Sequence, residues 1–398
     1  MKVRLGRRGG RSDAPVRAQP RPTLVKPARL VPVPQRQTTR APTKGRLVVG
    51  CMTGTSLDGI DVALVRITGS GLAIRAELVS CASHPLGDVQ APLRRLAEQQ
   101  PMTAREISET SLAFTALHVD AIRDLGADRI DLVCVHGQTV FHAPPVSWQL
   151  FQPAPLALAL GVPVVSDLRA ADLAAGGQGA PITPLADHIL FRHGSEARAV
   201  INLGGFCNLT ILPGGDDTSR IGGRDVCACN QVLDHLARRL FDQPYDRDGL
   251  HALAGSVDRR ALDALTAKLS LQARAGRSLG TGDELAAWVD RHRGRHTPED
   301  LARTACAAIA RVIVQHAVPA RRLVLAGGGT RNRALVAEIR ERAGIPAITS
   351  DQLGIPVDMR ECVAMAILGA LCQDRVPITL PQVTGVEQPP IAGSWTIP

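Results

Sequence analysis

Short apolar runs alternate with helical patterns along most of the chain. In the first half, runs rich in β-branched residues are separated by glycine-containing turns, and they open with a three-strand β-meander. The predicted elements of this half are strands at residues 46–52, 61–67, 72–80, 130–135 and 162–166 and helices at residues 92–99, 104–125 and 154–160.

The same order of elements then starts again. The second set comprises strands at residues 198–203, 207–212, 219–222, 323–326 and 347–349 and helices at residues 230–240, 259–267, 297–318 and 359–371. Two successive units of this kind predict a duplicated α/β body with a mixed sheet in each of two lobes and a central cleft. We expect the lobes to be residues 47–190 plus 360–398 and residues 191–359, with the last helix packed toward the first lobe. This arrangement resembles the actin-like fold of sugar kinases, Hsp70 and actin.

Composition adds that the basic character belongs to one end of the chain. The 398 residues are 45% hydrophobic, enough to bury a full core. The net charge of +9 arises in residues 1–46, which hold 13 of the 46 Lys and Arg residues and one of the 37 Asp and Glu residues. From Leu47 onward the net charge is −3, and aromatic residues make up only 3% of the chain. We therefore expect no nucleic-acid partner for the body.

Residues 1–46 contain seven prolines and no apolar stretch of signal-peptide length, which predicts a disordered, solvated extension. A transit peptide, a wrongly chosen start codon or an arm for an anionic partner are the alternatives. The nine cysteines are scattered and odd in number, which favours reduced thiols in the cytoplasm. No run approaches the about 18 apolar residues of a membrane span, so we expect no membrane association.

Glycine-rich loops after predicted strands are the candidate nucleotide site, because cleft-forming α/β proteins bind ligands there. The first loop offers hydroxyls and an acid for phosphate oxygens and Mg²⁺, and the second occupies the equivalent turn of the second unit. The third opens a predicted helix, which suits a phosphate at the helix N-terminus. The expected ATP-binding residues are Gly54, Thr55, Ser56, Asp58, Gly59, Gly204, Gly205, Asn208, Gly327, Gly328, Gly329 and Asn332.

Each of these loops, taken alone, is also compatible with a mere turn. Their matching positions in two repeated units favour the nucleotide hypothesis. The chain has no GxxxxGK[ST] motif and no GxGxxG motif after a strand, so neither a P-loop NTPase nor a Rossmann dehydrogenase is indicated.

Seven segments carry a more specific pattern. They are residues 50–61 (GCMTGTSLDGID), 136–139 (HGQT), 176–181 (GGQGAP), 201–208 (INLGGFCN), 245–249 (YDRDG), 327–332 (GGGTRN) and 381–385 (PQVTG). With these segments in this order, the sequence resembles the bacterial anhydro-N-acetylmuramic acid kinases from residue 47 to residue 398. Such kinases add water at C1 of the anhydro sugar while O6 takes the γ-phosphoryl group of ATP, which gives N-acetylmuramic acid 6-phosphate and ADP.

The resemblance implies a role for individual residues. Asp225 matches the general base that opens the family's D-x-G-P-G-N segment, although without the resemblance it would pass for a turn acid. The implied sugar-binding residues are His136, Gln138, Asp172, Gln178 and Glu361. Asp58 is expected to hold Mg²⁺ with ATP. His142 stays open between a site residue and a structural one. The resemblance further implies a cytoplasmic homodimer in amino-sugar metabolism and peptidoglycan recycling.

Three departures from the family pattern leave alternatives open. Cys227-Ala228-Cys229 stands where the family has Gly-Pro-Gly, Asp283 stands where it has Arg, and Phe151 stands where it has Gly. A Cβ at Cys227 or Cys229 is expected to crowd the reacting phosphate, so that restoring glycine at both raises or preserves kcat without unfolding the protein. The alternatives are a kinase for another sugar and a catalytically silent nucleotide- or sugar-binding homologue. A metal site at the two cysteines is disfavoured, because further ligands at suitable spacing are missing.

Overall fold

The computed structural model of the protein describes residues 45–54, 56–275 and 282–398, and side chains outside residues 272–285. Its strands are β1 (Arg46–Met52), β2 (Gly59–Thr68), β3 (Arg75–Pro85), β4 (Leu132–Val135), β5 (Gln138–Ala143), β6 (Val146–Leu150), β7 (Val164–Ser166), β8 (Arg198–Leu203), β9 (Phe206–Leu212), β10 (Gly222–Ala228), β11 (Arg322–Ala326), β12 (Ala347–Thr349) and β13 (Ser394–Thr396).

The helices lie mostly between the third and fourth strands of each set and after the fourth. They are α1 (Gln90–Ala97), α2 (Ala104–Arg123), α3 (Pro153–Leu160), α4 (Ala170–Ala174), α5 (Pro184–Phe191), α6 (Asn230–Phe241), α7 (Leu250–Ala254), α8 (Arg259–Ala275), α9 (Gly282–His292), α10 (Pro298–His316), α11 (Arg333–Ala343), α12 (Arg360–Gln373) and α13 (Pro381–Thr384). None of the helices in the described part of the chain combines the length and apolar character needed to span a bilayer.

Two mixed sheets share one strand order. In the described residues the first sheet runs β13-β7-β4-β1-β2-β3 and the second runs β10-β9-β8-β11-β12. In both, the first three strands of the set pair antiparallel and the fourth pairs parallel with the first. The predicted duplicated α/β body of the actin-like type is confirmed.

The last long helix lies against the first sheet, as the sequence predicts. A Cβ added at Gly50 of β1 would lie 2.0 Å from the carbonyl oxygen of Cys362, and one added at Gly369 would lie 2.6 Å from Cβ of Cys134. The helix α12 can therefore approach β1 and β4 closely, because a glycine stands at each of these two contacts. The lobe boundaries at residues 190 and 359 stay a prediction.

A buried ion pair ties α12 to the chain between the two sheets. Arg360, at the first position of α12, donates from Nε to Asp187 of α5 at 2.7 Å, and its Nη2 contacts the other carboxylate oxygen. Thr210 of β9 also donates to Asp187, at 2.6 Å. Both charged side chains are almost fully buried. Each one compensates the charge of the other, which would be very costly if left unpaired inside the protein.

Several elements differ from the sequence-based expectation. The strand predicted at residues 219–222 is wrong: Thr218–Arg220 is a 3₁₀ turn, and the third strand of the second set runs over Gly222–Ala228. Its opening glycine pair has no side chains to reveal a strand pattern. The hairpin of β5 and β6, the terminal β13 and helices α4, α5, α7, α9, α11 and α13 were not predicted. Residues 1–44 lie outside the described residues.

Candidate active site

In the turn between β1 and β2, the buried Leu57 lies between two exposed polar residues, Ser56 and Asp58. Leu57 has a φ of +58° and its side chain is buried, and Gln90 of α1 donates to its carbonyl oxygen at 2.8 Å. A leucine in the left-handed region is strained, so burial and the Gln90 contact must hold it there. Ser56 and Asp58 are left exposed on the turn, and Thr55 lies outside the described residues. Gly54 precedes them and Gly59 begins β2.

Carboxylates gather beside this turn. Burial raises the pKa of Asp234 on α6 to about 6, and the negative charge of Asp58 adds to the rise. Burial also raises the pKa of Asp61, and several carboxylates, Asp58 among them, raise it further. The buried hydroxyl of Thr53 has no hydrogen-bond partner among the described residues. The negative charge and the free oxygen favour a hard cation with oxygen ligands.

No cluster of three or more candidate metal-binding side chains occurs within residues 45–54, 56–275 and 282–398. This does not disagree with Mg²⁺, because that ion is usually held by one or two carboxylates together with waters and substrate phosphates. Asp58 fits such a site, and a cage made only by the protein is absent from the described chain.

The equivalent turn of the second sheet is tied to the start of α6. The carbonyl oxygen of Gly204 accepts from the N–H of Asn230 at 3.1 Å, and that of Gly205 accepts from the N–H of Cys229 at 2.9 Å. Asn208 lies on β9 with its side chain half-buried. The turn is thus held against the start of α6 by backbone hydrogen bonds.

The three glycines after β11 divide into two kinds. A Cβ at Gly327 would lie 2.7 Å from Oδ1 of Asn202, and a Cβ at Gly329 would lie 2.8 Å from Cβ of Leu203, so both glycines allow close packing on β8. Gly328 is exposed, and a Cβ added there would lie 3.7 Å from its nearest neighbour, Oδ1 of Asp358. Asn332 uses Oδ1 to cap α11, accepting from the N–H of Leu335 at 2.9 Å.

Arg169, which the sequence analysis did not single out, contacts both His136 and the backbone at Gly179. Its Nη2 and Nε lie 2.9 Å and 3.2 Å from Nε2 of His136, and its Nη1 donates to the carbonyl oxygen of Gly179 at 2.7 Å. Nδ1 of His136 lies 2.8 Å from the carbonyl oxygen of Gly137, which fixes the proton on Nδ1. Burial and the charge of Arg169 lower the pKa of His136 to about 3, so the imidazole is neutral.

Asp225 lies on β10 at a β-bulge. It stands opposite Asn208 of β9, whereas Cys227 stands opposite Cys207, so Val226 is the extra residue. The Asp225 side chain is exposed to solvent, yet nearby protein atoms partly desolvate its carboxyl group. This desolvation raises the pKa of Asp225, and the positive charge of Arg169 opposes the rise. An accessible carboxylate with a raised pKa is what a general base requires.

The five predicted sugar-binding residues occupy different environments. His136 is buried against Arg169, and Gln138 is buried with Oε1 lacking a partner in the described chain. Glu361 bonds to Asn202, and burial raises its pKa while Arg360 opposes the rise. Gln178 is exposed.

Asp172 has both carboxylate oxygens occupied by the protein. One accepts from the N–H of Gly179 at 2.8 Å, and the other accepts from the hydroxyl of Thr384 at 2.8 Å. The side chain therefore joins the loop before Gly179 to α13. Burial lowers the pKa of Arg169 to about 10, and the negative charges of Asp225 and Glu361 oppose this shift. The role of Asp172 in sugar binding stays a prediction.

A family model for anhydro-N-acetylmuramic acid kinase matches residues 46–398. The chain belongs to this family. A relative of that name from Salinibacter ruber is 34% identical over 89% of this chain and 96% of its own, and one from Bordetella petrii is 37% identical over 89% of this chain and 97% of its own. Among solved structures, the activator of the 2-hydroxyisocaproyl-CoA dehydratase from Clostridium difficile with bound ADPNP is 14% identical with a TM-score of 0.42, covering 81% of this chain and 94% of that one.

Within the anhydro-N-acetylmuramic acid kinase family, the two cysteines that replace glycine face away from the base. Cys227 and Cys229 are fully buried in the hydrophobic core below the second sheet. In a regular strand the side chains of Asp225 and Cys227 would lie on the same face of the sheet. The bulge at Val226 places them on opposite faces, because they pair with the adjacent residues Asn208 and Cys207. The expectation that their Cβ atoms crowd the reacting phosphate is therefore wrong.

Of the remaining two departures from the family pattern, only Phe151 has a described side chain. The ring of Phe151 lies 5.2 Å from that of His118 and packs against the core beside α2, and its Cβ would lie 3.2 Å from a Cβ added at Gly137. The side chain of Asp283 lies outside the described residues. His142 on β5 contacts the hydroxyl of Ser147 at 2.9 Å on the hairpin.

Proposed function

We propose that this chain converts anhydro-N-acetylmuramic acid, ATP and water into N-acetylmuramic acid 6-phosphate and ADP. Family membership over residues 46–398 supports the reaction. The observation that carries the proposal is the solvent-exposed carboxylate of Asp225 at a β-bulge, where desolvation raises its pKa and the charge of Arg169 opposes the rise.

Asp225 is the general base in this proposal. Its carboxylate takes one proton from water, and the water oxygen forms the new bond to C1 of the sugar as the bond from C1 to O6 breaks. O6 takes the γ-phosphoryl group, and ADP leaves with the electrons of the broken phosphoanhydride bond. Neutral water is a poor nucleophile, so a base within reach is needed for the attack.

The phosphates of ATP are assigned to the two equivalent turns, at Gly54, Thr55, Ser56, Asp58 and Gly59 and at Gly204, Gly205 and Asn208. The nucleoside end is assigned to Gly327, Gly328, Gly329 and Asn332, with open Gly328 as the point of approach. Asp58 would hold Mg²⁺, which when bound neutralises charge on the phosphates.

The sugar is assigned to His136, Gln138, Asp172, Gln178 and Glu361. Gln138 supports this, because its buried Oε1 has no partner in the described residues and an unpaired buried acceptor favours a ligand donor. We also propose that the enzyme is a cytoplasmic homodimer in peptidoglycan recycling and that the site lies in a cleft between the two lobes. Size-exclusion chromatography with light scattering tests the dimer.

Incubation with ATP and anhydro-N-acetylmuramic acid tests the function through the mass of the product. The expected product is heavier than the sugar by one phosphoryl group and one water, and one ADP forms per product. A product heavier by the phosphoryl group alone would show phosphorylation without opening of the anhydro bond. ATP binding without any product would favour a silent homologue, and preference for an ordinary hexose would favour another sugar kinase.

A further inference from the structure

Residues 381–385 form one of the seven family segments, yet they contribute none of the residues assigned to ATP, to the sugar or to the base. The segment consists of the short helix α13 and the glycine that follows it. Its last helical residue, Thr384, is almost fully buried although its side chain is polar. A buried hydroxyl needs partners inside the protein, so its hydrogen bonds identify what the segment holds.

Thr384 closes the loop that carries Gln178. Its hydroxyl donates to Oδ1 of Asp172 at 2.8 Å, and its carbonyl oxygen accepts from the N–H of Gln178 at 3.0 Å. Oδ2 of Asp172 accepts from the N–H of Gly179 at 2.8 Å, and the carbonyl oxygen of Asp172 accepts from the N–H of Gly177 at 2.8 Å. Two buried residues therefore hold three consecutive N–H groups, whereas Gln178 itself is exposed.

Glycines on both sides of Gln178 make this arrangement possible. A Cβ at Gly177 would lie 2.2 Å from Oδ2 of Asp172, so a side chain there would displace the carboxylate. Gly179 has a φ of +64°, which residues with a Cβ rarely adopt. The backbone around Gln178 is therefore fixed, and its amide side chain extends from a rigid base.

The same short helix also holds the chain at the start of β10. Nε2 of Gln382 donates to the carbonyl oxygen of Thr218 at 2.8 Å and to that of Ile221 at 3.0 Å. Ile221 directly precedes β10. One side chain of α13 thus fixes the chain on both sides of the turn that leads into this strand.

Two family segments meet at Gly223, the second residue of β10. A Cβ there would lie 3.2 Å from Cγ1 of Val383 and 3.2 Å from Cγ of Pro181, which ends segment 176–181. Both segments can approach the strand this closely because position 223 is a glycine. Asp225, the proposed base, lies two residues further along the same strand. α13 therefore contacts both the loop of Gln178 and the strand of the base.

We propose that α13 positions the sugar-binding loop with respect to the base. Thr384, together with Asp172, holds the backbone of Gln178. Gln382 holds the start of the strand that carries Asp225. Thr384 and Gln382 are positioning residues, and Asp172 serves the sugar site through the loop. The inference rests on the proposed function for the identity of the sugar, whereas the hold of α13 on the loop is measurable without any sugar.

Hydrogen exchange at the N–H groups of residues 177–179 tests the hold on the loop. The full-length protein is compared as wild type, as Thr384→Val, which loses the hydroxyl donor, and as Thr384→Ser, which keeps it. Thr304→Val is the matched control. Thr304 is also fully buried, and its hydroxyl accepts from the N–H of Asp258 at 3.0 Å in another part of the chain.

Exchange at residues 177–179 should be at least about tenfold faster in Thr384→Val, because a hydrogen bond to a charged acceptor stabilises by about that factor or more. Thr384→Ser and Thr304→Val should exchange there as wild type does. Unchanged exchange in Thr384→Val, or an equal increase in Thr304→Val, would overturn the proposal.

Sugar affinity and kcat test the consequence for the reaction. In Thr384→Val the Kd for the anhydro sugar, from calorimetry, should rise about tenfold while the Kd for ATP is unchanged, and Thr384→Ser should restore sugar binding. In Gln382→Met, kcat should fall by about three- to tenfold with the sugar Kd unchanged, because the lost bonds lie on the side of the base. Reduced stability with sugar affinity and kcat as in wild type would mean that α13 supports only the fold, and would overturn the proposal.

The Gln382 variant keeps the test decisive if Thr384→Val does not fold. Gln382 is exposed, so its replacement should leave the fold intact, and an unchanged kcat would then overturn the proposal. The two proposals fail separately. A wild type that neither binds nor converts the anhydro sugar, while exchange at residues 177–179 still depends on Thr384, would refute the proposed function and leave the hold of α13 on the loop intact.

Discussion

Restoring the family's glycines at Cys227 and Cys229 should weaken the fold and leave the chemistry nearly unchanged. Both side chains are fully buried in the core below the second sheet; Cys227 lies on the face of β10 opposite Asp225, and Cys229 directly precedes α6. Replacement by glycine removes these packed groups and adds backbone freedom to the unfolded chain. From the sequence alone we expect the double variant to stay folded and its kcat to rise or be preserved. The burial of both side chains argues against the first outcome and is compatible with a preserved kcat.

The size of the effect follows from burial. A cysteine side chain of roughly 80 Å² at about 25 cal/mol per Å² contributes about 2 kcal/mol. Glycine adds about 0.5–1 kcal/mol of backbone entropy cost in a strand. Two such changes amount to about 5 kcal/mol, or somewhat less if the two cavities collapse into one. This is a large part of the about 5–15 kcal/mol by which a domain is stable.

Urea denaturation and steady-state kinetics on the same preparations check both parts. We expect the urea midpoint of the double variant to fall strongly and kcat of the folded fraction to stay within about threefold of wild type. Cys81→Gly is the control, because Cys81 is a partly buried strand cysteine far from the core below the second sheet. Unchanged stability together with a large rise in kcat would show that the cysteines face the site, which would refute the reasoning.

Three more outcomes follow from contacts in the structure. Gly329→Ala should reduce both stability in urea denaturation and ATP affinity in calorimetry, because its Cβ would lie 2.8 Å from Cβ of Leu203. Gly328→Ala should keep stability and change only ATP affinity. Burial lowers the pKa of His118 to about 4 against 6.5 unfolded, so this residue should reduce stability by about 2 kcal/mol between pH 7 and pH 5 as the unfolded chain takes up the proton; His118→Leu should lessen the slope in urea titrations by that amount. Asp187→Ala should destabilise by about 3–5 kcal/mol in the same assay, because it leaves a buried arginine unpaired.

The His118 and Asp187 variants have clear controls. His316 makes the same contact to the carbonyl four residues earlier, at 2.9 Å, but is only partly buried, so His316→Leu should leave the slope between pH 7 and pH 5 in place. Equal slopes in His118→Leu and wild type would contradict the burial argument. For Asp187, replacing Arg360 by methionine and Asp187 by leucine together should recover much of the lost stability, and no recovery would contradict the role of the unpaired charge.

The sequence was sufficient for the strands and the repeat. β1 lies at residues 46–52 as predicted, since a continuous run of β-branched and apolar residues has one natural extent. The duplicated order of elements followed from the same patterns, and the first-turn loops of both sets were placed on real turns. Short or polar strands such as β5 and β13 were missed, because their exposed side chains follow no apolar alternation.

The site was only partly accessible from sequence. Arg169 reads as an ordinary surface arginine in a stretch of small residues, and its contacts to His136 and Gly179 join separate segments of the chain. The direction of the cysteine side chains depends on the bulge at Val226, and a one-residue slip in a strand reverses every face after it. Such relations exist only once the chain has folded.

Single-turnover measurement with Asp225→Asn tests the assignment of the base most directly. ATP and the anhydro sugar are mixed with excess enzyme, and formation of N-acetylmuramic acid 6-phosphate is followed by rapid quench, with ATP affinity measured by calorimetry on the same sample. We predict unchanged ATP affinity and a rate lower by about 10² to 10⁴, the usual loss when a positioned base is removed. Formation of the product at the wild-type rate would contradict the account.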